Sequence, residues 1–61
     1  MPVLTVEGPK NVDLEKKRVF VRDLTRVAAD YYGMPVEKIV ILLKENAPEN
    51  VAVAGALIVD R

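Results

Sequence analysis

The chain has no cysteine, no histidine and no tryptophan among its 61 residues. Without cysteine there is no disulfide to hold so short a polypeptide together, and without cysteine or histidine there is no Cys/His metal site. Aromatic residues are scarce, with one Phe and two Tyr. An excess of charge is also missing: nine basic and nine acidic side chains cancel. That balance argues against a nucleic acid or an anionic membrane as partner, and the basic residues are interleaved with acids, as in Glu15-Lys16-Lys17-Arg18. No apolar run approaches the roughly 18 residues of a membrane span, and there is no charged leader with a signal core. The compartment expected by default is the cytoplasm.

What is abundant is aliphatic surface, at 51% apolar residues. A chain of this length buries only about 60% of the surface that it exposes when unfolded, which leaves one domain, residues 1–61, with a marginal core. Association with further copies is the remaining source of burial, so a homo-oligomer is expected.

The pattern reads as α/β. Residues Pro2 to Glu7 form a first strand that Gly8-Pro9 interrupts. Asn11 or Asp13 caps a helix from about Asp13 to Tyr32, Glu15 favours its N-terminal dipole, and Gly33 stops it in the left-handed conformation. The spacing of Phe20, Leu24, Val27, Ala28 and Tyr31 predicts the face that packs on a sheet. After Met34-Pro35, the aliphatic run Ile39-Val40-Ile41-Leu42-Leu43 predicts a strand covered on both faces. A crossover helix of this length makes the two strands parallel. One helix covers one face only, so the other face and the edges fall to another chain. The tail after the Asn46–Asn50 loop, Val51 to Val59, reads as a hairpin or arm.

Pro2 is the candidate for chemistry. Removal of Met1 converts its nitrogen from a non-basic amide into a secondary amine, and a strand start fixes the direction of that amine. Such a group can take and return a proton near neutral pH, since α-amino groups titrate at about 7.7–8.0 and desolvation or a nearby cation lowers that value.

Four segments in this order, Pro2-Val3-Leu4-Thr5-Val6, Asp13-Leu14-Glu15-Lys16-Lys17, Gly33-Met34-Pro35 and Asn50-Val51-Ala52-Val53-Ala54-Gly55, carry a resemblance to the 4-oxalocrotonate tautomerase family. It spans nearly the whole chain. The resemblance implies βαβ units that form four-stranded sheets across dimers, and homohexamers built as trimers of dimers. It also implies an isomerase without cofactor, in which Pro2 is the general base for keto-enol tautomerisation of a small 2-oxo or enol acid. The positions where the family's best-known members carry two substrate-binding arginines and a tail aromatic fall on Val12, Val40 and Val51. Candidates for a substitute cation on the substrate carboxylate are Lys10, Lys38 and Lys44, of which at most one serves, and Asn50 is a candidate donor to the carbonyl oxygen. The three valines also define a second reading, a catalytically silent or structural subunit, self-assembled or paired with a homologous chain. A third is a small binding module in which Pro2 is incidental.

Overall fold

A computed structural model describes all residues, 1–61. Strand β1 spans Val3–Pro9, helix α1 Leu14–Tyr32 and strand β2 Val40–Asn46, followed by the short strands β3, Ala52–Val53, and β4, Ala56–Leu57. Single 3-10 turns occupy Val36–Lys38, Pro48–Asn50 and Ile58–Asp60. β1 and β2 are parallel, in register from Val3 opposite Val40 to Pro9 opposite Asn46. β3 and β4 form an antiparallel hairpin. The fold is thus the expected βαβ unit of two parallel strands and one long helix, with a C-terminal hairpin.

Both main strands run further than their sequence suggests. β1 continues through Gly8-Pro9 because a proline at the last position of an edge strand surrenders no ladder bond that the sheet needs. β2 continues through Lys44-Glu45-Asn46, so Lys44 lies within the strand and Asn46 closes it instead of opening the loop. Side chains alternate along each strand. Leu4, Val6, Ile41 and Leu43 are half-buried on the helix side, while Val3, Thr5, Leu42 and Lys44 are exposed on the other.

The helix is fixed at both ends by its own residues. Asp13 is the N-cap, its carboxylate accepting from the amides of Glu15 and Lys16 at 3.1 and 3.2 Å. Gly33 closes the C-terminus at φ 64°, and Met34 N–H returns to the carbonyl of Ala29 at 3.0 Å. Open space surrounds the position of a Cβ at Gly33, so a substitution there costs backbone strain alone. Gly33→Ala is expected to destabilise by about 1 kcal/mol and lower the midpoint of thermal unfolding by about 4–8 °C. An unchanged midpoint would show that the left-handed cap carries no strain. At the tail, Ala54 at φ 53° and Gly55 at φ 84° are both left-handed, the pattern of a type I′ hairpin turn.

The expected packing face of α1 is divided. Ala28 and Ala29 are buried and Val21, Leu24 and Thr25 half-buried, whereas Phe20, Val27 and Tyr31 are 45%, 65% and 81% exposed. Two strands spaced by about 4.8 Å are narrower than a helix with its side chains, about 10 Å across, so the sheet shelters only half of the apolar arc. The expected two-sided cover of β2 is likewise half present within one chain, with Leu42 46% exposed. The radius of gyration is 14.7 Å, against about 10.5 Å for a compact chain of this length. The accessible surface is 4882 Å², against about 4,000 Å² for a monomer of this mass.

Candidate active site

Pro2 sits at the head of β1. Its carbonyl accepts from the Val40 amide at 3.1 Å, which ties it to the start of β2, and Met1 beyond it is 82% exposed. With Met1 attached, the Pro2 nitrogen is a tertiary amide. The strand end holds the ring in place but supplies no base until that bond is cut.

The candidate binding residues divide between the two ends of the sheet. Lys38 ends the 3-10 turn that leads into β2, with its amide donating to Pro35 at 3.0 Å, and lies at the Pro2 end. Lys44 faces Glu7 across the ladder, five residues along the strand from Pro2, or about 16 Å. Lys10 follows Pro9, eight residues along, or about 26 Å. Asn50 ends the turn after β2 at that same far end, its amide donating to Ala47 at 2.9 Å. A single chain therefore brings Lys38 alone to the Pro2 end. Of the three valines, Val40 adjoins Pro2, Val12 is 80% exposed at the far end, and Val51 is half-buried there.

The surface hollows also lie away from Pro2, which lines none of the four. One of about 420 Å³ is walled by Pro9, Pro48, Val51 and Ile58, with Glu7 and Asn46 at its border. Another, of about 210 Å³, lies at the corner between β1 and α1, between Phe20 and Leu43 and beside Lys16, Lys17 and Lys44.

That corner contains a residue the sequence reading passed over. Glu45 accepts from Lys17 Nζ at 2.9 Å and, through its other oxygen, from the Asn11 amide at 3.3 Å; its side chain is 24% exposed and that of Lys17 27%. The signal was alternation. Glu45 has the same parity as Ile41 and Leu43, so a carboxylate at that position faces the helix and calls for a cation there.

The Lys17 hydrogen bond holds the Glu45 carboxyl below its ordinary value of 4.5; partial burial opposes this, while the Asn11 amide and the charges of Lys17 and Lys10 reinforce it. A carboxyl lowered in the folded state stabilises fully above its ordinary range, and that contribution is lost as the pH falls through the lowered value. The stability difference between wild type and Glu45→Gln in chemical unfolding is thus expected to be largest above about pH 5 and to shrink below about pH 4. A difference that does not vary with pH would contradict the assignment.

Comparison with known proteins places this arrangement. No curated protein matches the sequence. The family model described as tautomerase enzyme matches residues 2–61, beginning at Pro2. The crystal structure of DmpI from Archaeoglobus fulgidus is 56% identical, covers 97% of this chain and 100% of its own, and superposes with a TM-score of 0.84. A 4-oxalocrotonate tautomerase homologue is 36% identical, with a TM-score of 0.88 and coverage of 100% of this chain and 97% of its own. YwhB, another homologue of 4-oxalocrotonate tautomerase, is 32% identical with a TM-score of 0.88 over 98% of each chain. With the match running from the residue after Met1 to the last, and these identities extending over almost the whole length, the chain belongs to the tautomerase family.

Proposed function

We propose that the protein is a 4-oxalocrotonate tautomerase-like isomerase, in which the Pro2 amine, freed by loss of Met1, is the general base in keto-enol tautomerisation of a small 2-oxo or enol acid. The observation that carries this reading is a family match that starts at Pro2, a residue anchored at the strand head with an exposed Met1 in front of it. In the ketonising direction the neutral amine takes the enol hydroxyl proton, the O–H electron pair becomes the C=O π bond, and the displaced C=C pair on carbon takes the proton back from the prolinium. One O–H bond breaks, one C–H bond forms, and the amine ends neutral. The step requires no metal or organic cofactor.

The substrate carboxylate is held by a lysine, from Lys10, Lys38 and Lys44, and Asn50 donates to the oxygen that becomes the carbonyl. Lysine offers a point charge without the bidentate fork of an arginine. Lys10, Lys44 and Asn50 stand a strand length from the Pro2 of their own chain, so they serve the Pro2 of another copy. The assembly is a homohexamer, a trimer of dimers, in which neighbours cover the open sheet face and the stripe of Phe20, Val27 and Tyr31. Its setting is the cytoplasm.

The test is ketonisation of the enol of phenylpyruvate, followed by ultraviolet absorbance, with protein whose N-terminus has been verified by mass. The reading predicts a rate well above that of buffer. A buffer-level rate from correctly processed, assembled protein would favour the silent subunit instead.

A further inference from the structure

The segment from Lys10 to Asp13 lies between β1 and α1, is exposed throughout, and belongs to no ladder or helix. It is nonetheless tied into a closed ring of contacts. Glu45 accepts from the Asn11 amide at 3.3 Å, the Asn11 side chain accepts from the Asp13 amide at 2.9 Å, and Asp13 caps α1. The Asp13 carbonyl then accepts from the Lys17 amide at 3.1 Å, and Lys17 Nζ returns to Glu45 at 2.9 Å. Every other member of the ring lies in the segment or in the first turn of α1. Glu45 alone comes from β2, 34 positions from Asn11 along the chain. Without it the helix keeps its Asp13 cap, but the segment loses its hydrogen-bonded tie to β2.

We propose that Glu45 is the positioning residue of this corner, holding the Lys10–Asp13 segment in the arrangement in which Lys10 meets a substrate carboxylate. The inference rests on the functional reading above and deepens it. Glu45 does not touch substrate; it acts through Asn11 on the residue next to it. A carboxylate suits this place because it accepts from two donors in different directions, with a cation on one side and a backbone amide on the other.

The test measures kcat and KM for the phenylpyruvate enol in wild type, Glu45→Ala, Glu45→Gln, Lys10→Ala and the Lys10→Ala/Glu45→Ala double variant, with light scattering to verify assembly. Hydrogen exchange at the Asn11 amide is followed alongside. Glu45→Ala is expected to raise KM about tenfold with kcat changed less than about twofold, while the double variant shows no more than the Lys10→Ala effect. Glu45→Gln, which keeps an acceptor for Asn11, recovers most of the loss. Exchange at the Asn11 amide speeds up at least about tenfold in Glu45→Ala, a result that does not depend on turnover. An unchanged KM, an unchanged exchange rate, or a Glu45→Ala effect undiminished in the Lys10→Ala background would each overturn the inference. If Glu45→Ala does not fold, the same comparisons apply to Glu45→Gln, whose lost charge and single acceptor leave a smaller KM increase that must also vanish without Lys10. Chains that still carry Met1 and turn over as fast as processed ones would refute the functional reading itself, a separate outcome.

Discussion

Blocking the Pro2 nitrogen, by retaining Met1 or by acetylating the processed chain, is expected to slow enol ketonisation by about 10²–10⁴-fold, the range that a positioned general base supplies. In the proposed mechanism the effect is large because an amide nitrogen has no available lone pair, so the base is abolished while the fold is kept. Pro2→Ala is a milder change. It leaves a primary α-amine of comparable basicity, but one without the ring that fixes its direction and excludes water from one side, and a loss of about 10–10²-fold is expected. KM should move little in either case. The order matters: if Pro2→Ala were more damaging than a retained Met1, Pro2 would matter to packing and not to proton transfer.

The second large effect concerns assembly. Leu42 stands on the open face of the sheet, opposite Thr5, and is 46% exposed in the single chain. In the proposed oligomer a neighbour covers that face, so Leu42→Asp places an unpaired carboxylate in an apolar interface at a cost on the order of several kcal/mol for each copy. Light scattering is expected to show loss of the oligomer, and circular dichroism a largely unfolded chain, because one copy alone buries only Ala28 and Ala29. A folded assembly of wild-type mass from Leu42→Asp would mean that this face remains open to solvent.

The contrast between what was and was not legible in the sequence follows from the range of each interaction. The helix ends were readable because Asp13 and Gly33 act within a few residues of themselves, through a cap and a left-handed stop. Parallel pairing was readable from the length of the crossover. The strand ends were not, because Gly8-Pro9 looks like a breaker and the aliphatic run stops at Leu43, whereas the pairing that extends both strands to Pro9 and Asn46 forms only across the ladder. The helix face was half readable: periodicity found the apolar arc but could not tell that a sheet of two strands shelters Ala28 and leaves Tyr31 outside. Pro2 stood out as a candidate from its position alone. Glu45 was not, because its meaning depends on Lys17 and Asn11, which only the folded chain brings to it.

In the proposed mechanism the working molecule begins at Pro2. The direct measurement takes preparations that differ in the proportion of chains lacking Met1, determines that proportion by intact mass, and plots it against the ketonisation rate. A line through the origin is the predicted result. A rate that stays the same as Met1-bearing chains replace processed ones would contradict the account.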